Sequence, residues 1–166
     1  MDQLVEALYR RHYKEILLYL YSLCKRREQA EDLAQETFLK ALLALPKHHP
    51  NFRAWLYMVA RNLYLNAYQK EKRIAYAEEL PMQTATEADE ILDNILRTER
   101  NKLLHQALMQ LEPRKREVLM LHYFGGLQQK EIAAVMKLTL ENVKVLSYRG
   151  KRDLKQYMEE HGYDLS

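Results

Sequence analysis

Residues 127–152 read LQQKEIAAVMKLTLENVKVLSYRGKR, and this stretch decides the fold of the C-terminal half. Ile132 and Met136 have the spacing of one buried helical face, and the small Ala133 suits a close helix crossing. Leu138 fills a turn, and Thr139 is a good N-cap for the next helix. Two helices, Gln128–Met136 and Leu140–Met158, are therefore predicted as a helix-turn-helix.

The outward face of the second helix is basic and polar. Lysine and arginine bind phosphates or guanine edges, and asparagine pairs with adenine. These side chains are Asn142, Lys144, Tyr148, Arg149 and Arg152. A solvated helix in a helical domain would also be polar here. The coincidence of turn spacing with a basic outer face favours DNA binding.

Composition favours helices throughout. The 166 residues include only four glycines and four prolines, and they are 30% charged and 48% hydrophobic. Such a chain folds, and it suits helices joined by short turns better than a turn-rich β fold.

Cys24 is the single cysteine. Because one cysteine cannot form an internal disulfide, a cytoplasmic location is favoured. We expect no signal peptide, because the N-terminal run MDQLVEALYRRHYKE lacks a basic start followed by an apolar stretch. We expect no direct membrane insertion, because no apolar run approaches about 20 residues.

Three helices are predicted in the N-terminal half. The first spans residues 2–24, the second starts near Glu28 and ends before Pro46, and the third begins after Asn51 as N-cap. One apolar face is predicted for the second helix, formed by Ala30, Leu33, Ala34, Thr37, Phe38, Ala41 and Leu42. The third has an apolar stripe at helical spacing, formed by Phe52, Trp55, Leu56, Val59, Ala60, Leu63, Tyr64 and Ala67. Trp55 and Tyr64 are expected in the core, whereas Tyr57 is expected to face away from the stripe.

The segment 75–89 loses helical periodicity and is interpreted as a flexible linker. A helix is predicted to resume near Asp89, and Pro113 is predicted to open the next helix at its first turn. Residues 1–78 carry 13 basic and 9 acidic side chains, residues 79–101 carry 2 and 6, and residues 102–166 carry 11 and 8. Two basic blocks thus flank an acidic connector, which suits two modules on one polyanion. The prediction is an all-α chain of two small domains, 1–74 and 90–166. The first has three to four helices, and the second carries the helix-turn-helix.

The chain resembles the extracytoplasmic-function type of bacterial RNA polymerase sigma factor, in the sigma-70 family. The run LMQLEPRKREVLMLHYFGGLQQKEIAAVMKLTLENVKVLSYRGKRDL is similar to sigma region 4. AEDLAQETFLKAL (30–42) and FRAWLYMVARNLYLNAYQKEKR (52–73) are similar to region 2. The resemblance implies that residues 1–74 are region 2, which binds core polymerase and melts the minus-ten element. Residues 90–166 would be region 4, which recognises the minus-thirty-five element.

The resemblance assigns the core-binding surface to the second helix. By position, Asp32, Gln35, Glu36 and Phe38 would dock on the clamp helices of the polymerase's largest subunit. The three polar side chains can lie on an exposed face, ready for arginines on a partner helix. Phe38 could equally pack inside its own module. The flap of the second-largest subunit is a further expected partner.

The resemblance assigns minus-ten recognition to the third helix and the loop before it. Unpaired bases need stacking, a pocket and a basic track. The expected minus-ten contacts are Lys40, His48, His49, Asn51, Phe52, Arg53, Tyr57, Arg61, Asn62 and Asn66. Asn66 replaces a usual acidic residue.

Minus-thirty-five contacts are expected on the recognition helix. They are Asn142, Lys144, Val145, Tyr148, Arg149 and Arg152. This helix and its turn depart from the family pattern at three places. Lys137 stands where glycine is common, so the turn would hold a strained lysine or adopt a slightly different geometry. Val145-Leu146 replace a more polar pair, which would favour apolar contact with thymine methyl groups. Gly150 replaces an alanine and should cost about 1 kcal/mol of helix stability.

Two other classes of function are alternatives for this sequence. A helix-turn-helix transcription regulator would use its N-terminal module to bind another protein or to dimerise, and it would not need AEDLAQETF. An enzyme is disfavoured because no His/Cys/Asp cluster has metal-ligand spacing, and no nucleophile motif or phosphate-binding glycine loop is visible. No metal or cofactor is expected. The resemblance also implies an anti-sigma protein as a partner, which in this family is often membrane-linked.

Overall fold

The computed structural model describes residues 3–44, 51–73 and 99–162. The chain divides into two compact units, Met1–Asp89 and Glu90–Ser166. Regular structure in the described parts of both units is helical, as predicted. The expected linker at 75–89 and the expected helix start near Asp89 lie outside the described residues.

Within residues 3–44 and 51–73, the first unit has three helices: α1 (Gln3–Cys24), α2 (Arg27–Ala44) and α3 (Phe52–Arg73). All three pairs of these helices are in contact. Lys25 stands between α1 and α2 with a positive φ of 59°, and this left-handed residue reverses the chain direction. The second helix therefore begins one residue before the predicted Glu28.

The buried face of α2 is close to the predicted one. Small side chains on this face let α1 and α3 pack against α2. The Thr37 hydroxyl donates a hydrogen bond to the Leu33 carbonyl oxygen at 2.7 Å. The buried residues are Ala30, Leu33, Ala34, Thr37, Phe38 and Ala41. The exception is Leu42, which was expected on this face and is 41% exposed.

The orientation predicted for Tyr57 on α3 is wrong. Tyr57 is fully buried, and its ring packs edge-on against Tyr19 of α1, with 5.1 Å between ring centroids. Trp55 and Tyr64, which were expected in the core, are only half-buried. Because α3 contacts both α1 and α2, its buried face is centred closer to Tyr57 than the sequence period predicts.

Within residues 99–162, the second unit has four helices and one π-helical turn. They are α4 (Glu99–Gln110), α5 (Pro113–Leu119), the π-helical turn (Met120–Phe124), α6 (Gln129–Met136) and α7 (Leu140–Glu160). Pro113 opens α5 as predicted. Its N-cap is Glu112, whose carboxylate accepts from the amides of Arg114 and Lys115 at 3.2 and 3.3 Å. Gly126, with φ of 66°, follows the π-helical turn.

Helix α7 packs closely on α5, and Gly150 allows this approach. A Cβ atom added at Gly150 would lie 3.2 Å from Leu119 Cδ1 and 3.4 Å from Lys115 Cβ. Leu119 is fully buried. Nearby, the Lys115 ammonium pairs with the Asp153 carboxylate at 2.8 Å. The glycine that appeared to weaken the helix therefore has a packing role.

None of the helices in residues 3–44, 51–73 and 99–162 has the length and apolar character needed to cross a membrane.

Candidate nucleic-acid interface

The helix-turn-helix of the second unit is built by its turn. Lys137 ends α6 in the left-handed conformation, with φ 56° and ψ 44°, which costs a non-glycine residue about 1–3 kcal/mol. The Leu138 amide donates to the Ala133 carbonyl oxygen at 3.0 Å. The Thr139 hydroxyl accepts from the Asn142 amide at 3.1 Å. The predicted strained lysine and the predicted N-cap are both confirmed.

The expected recognition side chains all lie exposed on α7. Tyr148 is 71% exposed and Val145 is 44% exposed, and Asn142, Lys144 and Arg149 are exposed with them. Val143 and Ser147 hold the opposite side of the helix in the core. The structure thus brings a polar, basic and partly apolar surface together on one rigid helix.

Arg152 is the expected recognition residue with an internal partner. Its Nε lies 3.5 Å from Asp153 Oδ1. The hydrogen bond from the Lys115 ammonium is the main cause that lowers the pKa of the Asp153 carboxyl. A carboxylate that stays ionised beside Arg152 competes with a DNA phosphate for this guanidinium.

The start of α3 is held by caps and ion pairs. Asn51 Oδ1 accepts from the Ala54 amide at 3.1 Å, so the predicted N-cap is confirmed. Arg53 donates from Nε to Glu15 Oε1 at 3.1 Å, and His12 Nδ1 lies 3.0 Å from the same oxygen. Arg53 is therefore tied to α1 as well as being partly exposed.

The remaining minus-ten candidates are not equally accessible. Lys40 and Asn66 are exposed, whereas Phe52, Arg61 and Asn62 are half-buried. His48 and His49 lie outside the described residues. Tyr57 has no access to solvent, so the structure places it in the core and away from any DNA surface.

Three of the four core-binding candidates share one exposed face of α2. Asp32, Gln35 and Glu36 are exposed, and Gln35 Nε2 donates to Glu31 Oε1 at 3.3 Å. Phe38 does not belong to this surface. It is 4% exposed and packs edge-on against Tyr9, with 5.2 Å between ring centroids.

The same face of α2 continues into exposed leucines that the sequence analysis missed. Leu39, Leu42 and Leu43 are 54%, 41% and 77% exposed. Leu39 stands four residues after Gln35, and Leu43 stands four after Leu39, so they lie on one helix face. Extending the Asp32–Gln35–Glu36 spacing by one turn would have found them.

Comparison with known proteins agrees with this arrangement. Residues 8–74 match the family described as Sigma-70 region 2, and residues 101–154 match Sigma-70, region 4. The RNA polymerase sigma factor YlaC of Bacillus subtilis (strain 168) is 35% identical over 158 residues, covering 93% of this chain and 91% of YlaC. The ECF RNA polymerase sigma factor SigM of the same strain is 26% identical, covering 91% and 93%. The chain belongs to the extracytoplasmic-function sigma factors of the sigma-70 family.

Solved structures of sigma factors share the fold. The sigma factor RpoE from Bartonella quintana, solved in complex with the anti-sigma factor NepR, aligns with a TM-score of 0.71 and 20% identity. That alignment covers 93% of this chain and 96% of RpoE. CnrH, solved with the cytosolic domain of CnrY, aligns with a TM-score of 0.62 and 23% identity, covering 94% and 88%.

Membership of this family establishes the general function. A sigma factor binds core RNA polymerase and directs it to promoters, so this protein acts in transcription initiation. Sigma factors as a class are not catalytic enzymes. The alternative of a helix-turn-helix regulator outside this family is set aside.

Proposed function

We propose that the two units of this sigma factor divide promoter recognition between them. Residues 1–74 would bind core polymerase and the minus-ten element, and residues 90–166 would bind the minus-thirty-five element, with residues 75–89 as the linker. The observation that carries this proposal is the exposed polar and basic face of α7, held by the N-capped turn at Thr139.

The polymerase-binding surface is the outward face of α2. Asp32 and Glu36 would attract a basic partner helix, which raises the association rate and selects the partner. The exposed leucines Leu39, Leu42 and Leu43 supply apolar area that the polymerase would bury. The clamp helices of the largest subunit are the proposed partner of this surface, and the flap of the second-largest subunit is proposed to bind the second unit.

Minus-ten recognition would use the exposed and half-buried polar residues around the start of α3. Lys40 would pair with a phosphate, and the Asn62 amide would read an unpaired base. Asn51, Phe52, Arg61 and Asn66 remain proposed contacts, together with His48 and His49 of the preceding loop. Arg53 would have to share its guanidinium with Glu15, and Tyr57 would act through packing only.

Minus-thirty-five recognition would combine three kinds of contact on α7. Arg149 and Asn142 would hydrogen-bond to base edges in the major groove. Val145 would contact thymine methyl groups. Lys144, Tyr148 and Arg152 would bind the backbone, where contacts set position but carry no direct sequence information.

An anti-sigma protein is proposed as the inhibitor. RpoE and CnrH, which share this fold, were each solved with a protein partner. The exposed apolar end of α2 is a surface that such an inhibitor could cover, since large exposed apolar patches usually mark interaction sites. The inhibitor could be membrane-linked. We further propose that the sigma factor acts in the cytoplasm, where its polymerase works, without catalysis or a cofactor.

Titration of fluorescently labelled sigma factor with core polymerase tests the α2 surface. Asp32→Ala combined with Gln35→Ala should weaken core binding about tenfold or more, as expected when charge-assisted contacts are lost. Glu6→Ala combined with Arg10→Ala removes an exposed hydrogen-bonded pair from α1 of the same unit and should leave core affinity unchanged. Equal affinities for both double variants and the wild type would overturn the assignment of α2.

A further inference from the structure

An exposed tyrosine at the π-helical turn has no role in the core. Tyr123 is 57% exposed, although Met120 and Leu121 of the same turn are buried. The His122 ring packs edge-on against it, with 4.8 Å between ring centroids. His122 Nδ1 lies 3.2 Å from the Leu127 carbonyl oxygen, which fixes the imidazole. Tyr123 therefore points outward from a turn that the His122 side chain connects to Leu127. π-Helical insertions of this kind often occur at functional sites.

Lys151 of α7 lies over this ring. Its Nζ is 5.8 Å from the centroid of Tyr123, within range of a cation–π interaction. Elsewhere on α7, Asp153 lies beside Arg152 and Lys155 is paired with Glu159. Among the residues that the structure describes, no carboxylate lies within ion-pair distance of Lys151. Its charge is therefore positioned by an aromatic ring and remains available to an external anion.

The pair continues the surface already assigned to DNA. Tyr148 stands three residues before Lys151, and residues at that spacing are neighbours on a helix surface. Lys144 stands one turn earlier still. Lys144, Tyr148, Lys151 and Tyr123 therefore form a strip of two cations and two phenols, which we name the phosphate strip. Such groups hydrogen-bond to phosphate oxygens.

We propose that Tyr123 and Lys151 form a phosphate-binding site for the promoter backbone beside the minus-thirty-five element. The proposal rests on the assignment of α7 to this element. Lys151 binds one phosphate, and the Tyr123 hydroxyl donates a hydrogen bond to the same or the next phosphate. Because the π-helical turn is joined to α6 through buried Leu127, this contact fixes the register of the helix-turn-helix on the duplex. Base preference is set elsewhere on α7.

The test measures promoter binding by the holoenzyme, formed from full-length sigma factor and core polymerase, against salt concentration. The probe is a duplex fragment carrying a promoter mapped with the wild-type holoenzyme on genomic DNA. Lys151→Gln should reduce the slope of log affinity against log salt by about 0.9, the loss expected for one phosphate contact. Tyr123→Phe keeps the ring and should lower affinity several-fold with a smaller change in slope. Neither variant should change the order of preference among minus-thirty-five sequences.

Lys102→Gln on α4 is the matched control, since it removes an exposed lysine of the same unit and should leave the slope unchanged. An unchanged slope for Lys151→Gln would overturn the proposal. So would reduced affinity for core polymerase with normal DNA binding by the assembled holoenzyme, which would make the strip a polymerase contact. If Arg149→Ala weakens binding while Lys151→Gln does not, only this inference fails. If wild-type holoenzyme selects no promoter, the proposed function fails.

Discussion

Replacing Tyr57 by phenylalanine is expected to stabilise the first unit. The Tyr57 ring is fully buried, and its hydroxyl oxygen has no hydrogen-bond partner. Burial of an unpaired hydroxyl costs about 1–3 kcal/mol, and Tyr57→Phe removes that cost while keeping the ring contact with Tyr19. The gain should lie near the lower end of that range, because a buried water would satisfy part of the loss.

Fluorescence of Trp55 can follow the unfolding of the first unit, because Trp55 is the single tryptophan in the chain and lies in α3. Urea unfolding followed by its fluorescence reports on the first unit alone, which avoids treating two units as one transition. A gain of 1 kcal/mol would raise the melting temperature of a unit this size by roughly 4–8 °C. Tyr68→Phe is the control, because Tyr68 is 44% exposed and should change stability by no more than about 0.5 kcal/mol.

The same variant separates packing from DNA contact. If Tyr57 acts only in the core, Tyr57→Phe leaves promoter melting unchanged, whereas Tyr57→Ala loses about 3–5 kcal/mol of stability. A loss of stability in Tyr57→Phe would show that the hydroxyl is satisfied in the folded protein. A defect in open-complex formation without a loss of stability would restore Tyr57 as a DNA contact. Either result would refute the packing argument.

Three further predictions follow from the packing and the recognition surface. Gly150→Val should destabilise the second unit by about 1–3 kcal/mol, because the added side chain would collide with buried Leu119. The unfolding transition reported by Trp55 should not move. Equal stability of variant and wild type by circular dichroism would contradict the close packing. Burial, helped by the charge of Glu15, raises the pKa of Tyr57 above its usual value. The free energy of unfolding is therefore independent of this ionisation below about pH 10, and it falls as pH rises further because Tyr57 ionises first in the unfolded chain. Wild type should then lose up to about 1.4 kcal/mol per pH unit more than Tyr57→Phe, and parallel pH–stability curves would refute this. Arg149→Ala should weaken promoter binding by about 1–3 kcal/mol and relax base preference at one position, whereas an unchanged footprint would count against base reading by this side chain.

Local signals predicted the C-terminal half well. The start of α5 depends on Pro113 in its first turn, and the start of α7 depends on its N-cap Thr139; both are local features. The left-handed Lys137 could be expected because the family commonly has glycine at this place in the turn. These features involve contacts within a few residues, so a single sequence contains the information.

Features that depend on distant contacts were missed. The π-helical turn looked like ordinary helix, because its insertion leaves no local sequence signal before Gly125. The orientation of α3 depends on two neighbouring helices, which is why Tyr57 was placed on the wrong side and Trp55 was expected deeper in the core than it lies. The leucines at the end of α2 resembled core residues, since apolar spacing cannot separate a folding core from a binding surface.

Transcription by purified core polymerase with and without this protein tests the central claim most directly. Genomic DNA is the template, and the start sites are mapped by sequencing the transcript ends. A sigma factor with the proposed division of work should produce a discrete set of starts sharing two sequence elements at constant spacing. Arg149→Ala should reduce these starts and relax the upstream element only. The same transcript ends with and without the protein would contradict the account.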